Sequence, residues 1–135
     1  MRGDDLGKLV LRLTLGVLML YHGISKLMKG VDGINGMVAG AGFPAQLGYL
    51  VYLGEVVAPL LLIIGVLTRP AAAVIAINMV VAVLLAHAKQ LTSINPQTGG
   101  YVLELQAFFL LTAVAIALMG PGGIRFGGRS NRLWA

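Results

Sequence analysis

Ionisable side chains recur inside otherwise apolar stretches of this sequence, at positions whose spacing could bring them together. His22 and Lys26 are four residues apart, so they lie on one face of a helix. Glu55 lies about eight residues, or ~12 Å of helix rise, inside a second apolar stretch. His87 ends a third stretch and Glu104 begins a fourth. Because Glu and His exchange protons with bound molecules, this pattern predicts a proton-transfer site where the stretches converge.

The candidate residues divide by the role that their type and depth suggest. Ionisable groups inside a membrane span usually face the bundle interior, a wet cavity or each other. Glu55 and His22 are the predicted proton-exchanging pair, because they are the deepest carboxylate and imidazole. The predicted binding residues are Lys26, Tyr52, Glu104, His87, Tyr21 and Tyr101. Arg12, Asn78 and Arg69 are predicted to be structural, with the Arg12 side chain reaching cytoplasmic headgroups.

The composition is that of an integral membrane protein. Of the 135 residues, 58% are hydrophobic and only 11% are charged, whereas soluble domains are roughly half apolar and about a quarter charged. The formal net charge of +5 is concentrated in tails and short loops. It therefore indicates contact with membrane lipid and a preferred orientation, and it does not indicate nucleic-acid binding.

Cysteine is absent from these residues. Disulfides, thiolate catalysis and iron–sulfur ligation by this chain are therefore excluded. The first apolar stretch ends without a small-residue cleavage pattern, so we expect it to be a retained anchor helix rather than a signal peptide.

The apolar stretches predict an all-α membrane protein, a bundle of four transmembrane helices forming a single domain over residues 1–135. The predicted helices cover residues 6–28, 47–67, 70–89 and 101–119. A short amphipathic helix is predicted between the first two, within residues 29–47 and on the membrane surface. Residues 124–135 are predicted to be a basic cytoplasmic tail.

Several residues predict how these helices pack. Gly16 and Gly23 lie on one face of the first helix and should allow a neighbouring helix to approach closely. Pro59 should kink the second helix. Asn78 and His87 are nine residues apart. This is about two and a half helical turns, so they should lie on opposite faces of the helix. The small residues 72–76 are a candidate seam for a homodimer.

Basic residues predict the orientation in the membrane. Four spans place both termini on one side, together with the turn between the second and third helices. That side carries six basic residues, Arg2, Lys8, Arg69, Arg125, Arg129 and Arg132, whereas the other carries Lys26, Lys29 and Lys89. The positive-inside rule then predicts cytoplasmic termini in a plasma (inner) membrane.

The sequence resembles the DoxX family of membrane proteins along nearly its whole length. The matching segments are Arg12, HG at 22–23, SKL at 25–27, GFP at 42–44, YLGE at 52–55, GVLTR at 65–69, NMVVA at 78–82 and GPG at 120–122. The chain departs from the family after its final GPG, where an arginine and a serine–aspartate pair often follow. The resemblance implies a four-helix inner-membrane protein, a subunit of quinone-linked oxidoreductases in some relatives and a partner of soluble redox proteins in others.

The leading functional hypothesis is a membrane subunit of an oxidoreductase system that binds a quinone or similar lipid-soluble redox molecule near the outer leaflet. Lys26 would bias the charge of the site while Glu55 and His22 exchange protons. No local spacing resembles a metal-ligand motif, and nothing marks a haem pocket, so neither is expected. A small solute transporter or proton relay, and a non-catalytic anchor or assembly factor for redox partners, remain open as alternatives.

Overall fold

The chain forms a bundle of membrane-spanning helices, described here from a computed structural model over residues 3–125. The helices are α1 (Gly3–Lys29), α2 (Asp32–Gly40), α3 (Ala58–Ile64), α4 (Thr68–Ala86) and α5 (Glu104–Met119). Three segments are long and apolar enough to cross a membrane: Gly3–Lys29, Ala45–Ile64 and Thr68–Ala86. The shorter α5 is also apolar. The predicted all-α membrane bundle with four main helices is therefore confirmed.

The second span, Ala45–Ile64, is not the uniform helix predicted over residues 47–67. It begins with a 3₁₀-helix, Ala45–Leu50, and continues through a π-helical turn, Leu53–Val57, into α3. Pro59 lies in the first turn of α3, where a missing backbone N–H is tolerated. Gly65 then adopts a left-handed conformation, with φ of 79°, and this ends the helix before residue 67.

Other helix boundaries also differ from the prediction. The first helix, α1, covers Gly3–Lys29 rather than residues 6–28. The third main helix, α4, begins at Thr68 rather than at residue 70, so the connection to it is residues 65–67. It ends at Ala86 rather than at residue 89, because Ala88–Gln90 form a 3₁₀-helix. The last helix, α5, begins at Glu104 rather than at residue 101, because Tyr101 pairs with Ile94 across the preceding connection.

The short helix predicted between the first two spans is present as α2, Asp32–Gly40. It buries Val38 and packs against the 3₁₀-helix that opens the second span. Its placement on the membrane surface stays a prediction.

The four spans close into a ring, because α1 and α4 each contact both the second span and α5. They share one hydrophobic core, whose largest residues are Leu15, Met19, Leu62, Ile75, Met79, Phe109 and Ile116. Within the predicted dimer seam, Ala72 and Ile75 are fully buried inside this core. Those two residues are therefore not available to a second copy, and dimerisation itself stays a prediction.

Both predicted glycine contacts of α1 are confirmed. A Cβ at Gly16 would lie 2.8 Å from Ile63 Cγ1 and 3.0 Å from Pro59 O. A Cβ at Gly23 would overlap the backbone carbonyl of Glu55. Glycine at these positions therefore lets α1 approach the backbone of the second span.

The beginning and end of the described chain lie at one end of the bundle. The backbone N–H of Gly123 donates to Asp5 Oδ1 over 2.9 Å. We call this the terminal end, and the opposite end, with the connection of residues 87–103, the loop end. The predicted tail at 124–135 lies outside the described residues from position 126 onward.

Candidate functional site

An ion pair between α1 and the second span lies in the half of the bundle nearer the loop end. Lys26 Nζ lies 2.6 Å from both Glu55 Oε1 and Glu55 Oε2. The Glu55 side chain is 2% exposed, whereas that of Lys26 is 31% exposed. The carboxylate is thus enclosed, whereas the ammonium is partly exposed.

Two further residues hold this ion pair in place. Asn78 Nδ2 of α4 donates to Glu55 Oε2 over 3.0 Å. Gly54 makes this possible, because a Cβ there would lie 2.6 Å from Asn78 Cβ. On the other side, Tyr52 Oη donates to the backbone carbonyl of Lys26 over 3.1 Å. Three spans therefore fix the carboxylate, which agrees with the general enrichment of polar interhelical bonds in membrane bundles.

The local backbone explains how Glu55 comes to be enclosed. Glu55 lies within the π-helical turn, in which the Ala58 N–H bonds to Leu53 O, five residues earlier. In a regular helix the Glu55 carbonyl would accept from residue 59, which is proline and has no N–H. Gly23 packs directly against that carbonyl. Turns of this kind inside helices are frequently found at functional sites.

A cavity of about 240 Å³ adjoins the ion pair. Its wall is formed by α1, the second span, α4 and α5, and the lining residues are His22, Lys26, Glu55, Met79, Ala82, His87, Leu105, Gln106 and Phe109. The His22 and Phe109 rings meet edge to face, with centroids 5.6 Å apart. The structure thus brings together four predicted residues, Glu55, His22, Lys26 and His87, around one space.

His87 joins this cavity although it was expected to face away from Asn78. The expectation assumed a continuous helix, but α4 ends at Ala86 and His87 has a φ of −130°. The chain leaves the helical register there, so the imidazole reaches the cavity from the loop end. Its Nδ1 lies 3.0 Å from Gln90 Oε1 in the adjoining 3₁₀-helix.

Four of the six predicted binding residues are not part of the cavity wall: Tyr52, Glu104, Tyr101 and Tyr21. Tyr52 still contacts the site through the Lys26 carbonyl, but the expectation that Glu104 converges with Glu55 is corrected. The Glu104 carboxylate packs against the backbone of Gly100 at the start of α5. Tyr101 Oη donates to the Leu91 carbonyl within the preceding connection. Tyr21 is 70% exposed on the outer face of α1.

The contribution of α5 to the cavity comes instead from Gln106 and Phe109. Sequence reasoning missed both. Gln106 carried a usable signal, since it is an amide within a strongly apolar run. Phe109 carried none, because an aromatic residue in such a run is ordinary core.

Arginines occupy the terminal end. Arg12 is 1% exposed. Its Nε donates to Leu62 O over 2.9 Å and its Nη1 to Pro121 O over 2.7 Å and to Ile124 O over 2.6 Å. The expectation that this side chain reaches the lipid headgroups is therefore wrong. Carbonyls at the end of α3 are left without helical partners, and a buried guanidinium with its five donors can reach them.

Arg69 acts in the same way on α5. Its Nη1 donates to Leu118 O over 2.8 Å and to Ala117 O over 3.2 Å. A cation at the carboxyl end of a helix also complements the helix dipole. Arg69 therefore ties the start of α4 to the end of α5.

The chemistry available in the cavity follows from these groups. Within residues 3–125, no three His, Asp or Glu side chains are grouped closely enough to hold a metal ion. The Glu55 oxygens already accept from Lys26 and Asn78. The groups that a bound molecule meets are an ammonium, two imidazoles and an amide, which together favour a ligand with accepting oxygen atoms.

Comparison with known proteins places the chain in a family. The model of the DoxX family matches residues 7–88, which include most of α1, the second span and α4. A protein of Bacillus subtilis (strain 168) named "Putative oxidoreductase CatD" is 27% identical over 116 residues, covering 86% of this chain and 81% of that protein. No solved structure matches the chain significantly. The family match spans more than half of the sequence, and the chain belongs to the DoxX family of membrane proteins.

Proposed function

We propose that this protein is the membrane subunit of an oxidoreductase system and binds a quinone or a similar redox molecule in the cavity beside Lys26 and Glu55. One observation carries the proposal: a single cavity is lined by the Lys26–Glu55 ion pair, by two imidazoles and by the Phe109 ring. Such a set offers hydrogen-bond donors to carbonyl oxygens and groups that exchange protons.

The size of the cavity restricts what enters it. Its volume of about 240 Å³ lies below the roughly 300–1,000 Å³ of sites for drug-sized ligands. A single-ring headgroup is compatible with that space, whereas a long alkyl tail has to lie outside it. The ring would pack on Phe109, and one carbonyl oxygen would accept from Lys26 Nζ.

Reduction of a quinone to a quinol takes two electrons and two protons. The chain has no cysteine, so it offers no thiol pair as electron source. We assign the electrons to a partner redox protein and the protons to His22 and the Lys26–Glu55 pair. The name of the Bacillus subtilis relative, "Putative oxidoreductase CatD", supports this class of reaction.

The proposal includes an orientation. The excess of basic residues on the side of the termini favours cytoplasmic termini in the inner membrane. The cavity, which lies toward the loop end, would then be nearer the outer leaflet.

Paired carboxylate variants test the proposal. We expect Glu55→Gln to weaken binding of a short-chain benzoquinone about tenfold, because the loss of charge at Glu55 frees Lys26 from its position. The measurement is calorimetric titration of the purified protein in detergent. Glu104→Gln is the matched control, since it makes the same chemical change outside the cavity and should leave the Kd unchanged. Unaltered binding by Glu55→Gln, or no binding by the unmodified protein, would refute the proposal.

A further inference from the structure

The buried polar side chains of this bundle form two groups separated along its axis. Among residues 3–125, they are Glu55 toward the loop end and Arg12 and Thr68 at the terminal end. Arg12 and His22 lie on the same helix, ten residues apart, which corresponds to about 15 Å of rise. Within the described part of the chain, the other buried side chains between the two groups are apolar.

That apolar layer is closely packed and receives a side chain from every span. Its apolar residues that are at most 1% exposed are Leu15, Met19, Leu62, Ala72, Ile75, Ala113 and Ile116. Ordered water in protein interiors needs polar partners, and apolar packing provides none. A chain of water molecules that could conduct protons is therefore not accommodated between Glu55 and Arg12.

At the terminal end, arginine side chains bridge the helix ends and close the interior of the bundle. The Arg12 guanidinium joins the carbonyl of Leu62, at the end of the second span, to those of Pro121 and Ile124, which follow α5. Arg69 joins α4 to the last carbonyls of α5. These hydrogen bonds link the spans across the interior beneath the apolar layer.

Toward the loop end, by contrast, the cavity is lined by polar and partly exposed side chains. Its wall includes the partly exposed Lys26 ammonium, and His87 continues it into the connection after α4 through Gln90. His22 is itself exposed. Polar groups thus lead from the enclosed Glu55 carboxylate toward the loop end.

From this asymmetry we infer that the cavity exchanges water and protons with the solution at the loop end only and is closed toward the terminal end. The part concerning protons rests on the proposed function, and the part concerning access does not. Protons taken up when a ligand is reduced there, or released when it is oxidised, would then come from or go to one side of the membrane.

The absence of native cysteine allows a direct test by single-cysteine labelling. Ala82→Cys and Gln106→Cys place a thiol on the cavity wall, and Ile75→Cys places one in the apolar layer. Thr92→Cys and Gly3→Cys mark the loop end and the terminal end. Each full-length variant is treated in right-side-out and inverted membrane vesicles with a charged, membrane-impermeant methanethiosulfonate.

We expect Ala82→Cys and Gln106→Cys to react at least about tenfold faster from the side that labels Thr92→Cys, because only a thiolate in contact with water reacts. Ile75→Cys should react from neither side. Reaction of a cavity thiol from the side that labels Gly3→Cys, reaction from neither side, or reaction of Ile75→Cys would overturn the inference.

A second arm separates this inference from the proposed function. A short-chain benzoquinone should slow the labelling of Ala82→Cys and leave that of Thr92→Cys unchanged. If labelling is one-sided but the quinone has no effect, the access inference stands and the proposed ligand is wrong.

Discussion

The two ends of this bundle bury charge in different ways. At the terminal end the Arg12 guanidinium is surrounded by backbone carbonyls from the second span and from residues 121–124. Toward the loop end the Glu55 carboxylate is held by side chains, the Lys26 ammonium and the Asn78 amide, and a cavity adjoins them. Nearly all N–H donors of Arg12 bond to carbonyls inside the protein. The Lys26 ammonium, by contrast, is partly exposed.

This difference separates a structural charge from one that can take part in chemistry. Backbone carbonyls cannot take up or release a proton, so the surroundings of Arg12 stabilise the fold and offer nothing to a ligand. Carboxylate, ammonium and imidazole groups can each exist in two protonation states. Burial alone therefore does not identify the candidate site, since both charges are buried, and the partners of each charge decide its role.

The largest expected effect is at the terminal end. Arg12→Met should lower the free energy of unfolding by about 3 kcal/mol, because buried carbonyls of the second span and of residues 121–124 lose their donor. Denaturant unfolding in detergent, followed by circular dichroism, measures it. Lys29→Met removes a charge from an exposed position of the same helix and should stay within about 0.5 kcal/mol. Equal stability of the two variants would mean that Arg12 is not a structural charge.

A smaller loss is expected where α1 meets the candidate site. Gly23→Ala places a methyl group on the Glu55 carbonyl and should cost about 2 kcal/mol, within the range for overpacking. It should also weaken quinone binding, since α1 carries Lys26 and His22. Gly7→Ala is the matched control in the same helix, because a Cβ there meets no atom within 4 Å. A neutral Gly23→Ala would show that the close approach is unnecessary.

The smallest of these effects concerns the amide that holds Glu55. Asn78→Leu should cost about 1.5 kcal/mol, the contribution of a hydrogen bond to a charged group, and should weaken quinone binding by freeing the carboxylate. The same unfolding and titration experiments measure both quantities. Binding unaffected by Asn78→Leu would remove Asn78 as a positioning residue.

Helical periodicity and hydropathy predicted most of the fold, and they failed where the backbone departs from regular helix. The π-helical turn at Leu53–Val57 and the end of α4 at Ala86 depend on packing against neighbouring spans. The candidate site shows the same division. Depth along each helix correctly grouped His22, Lys26, Glu55 and His87, because rise per residue is fixed by helix geometry. Depth could not separate Glu104 from this group, since it does not specify which way a side chain points.

The sequence by itself determined that this is a helical membrane protein, how its spans follow one another, and at which depth each charge lies, because hydrophobic length and helix rise are properties of the chain alone. Only the tertiary structure decided the partners of each charge, giving Arg12 the ends of two helices and Glu55 a lysine, an amide and a cavity. The physical reason is that a partner comes from another span, at a rotation set by side-chain packing and by contacts such as that of Gly23 with the Glu55 carbonyl.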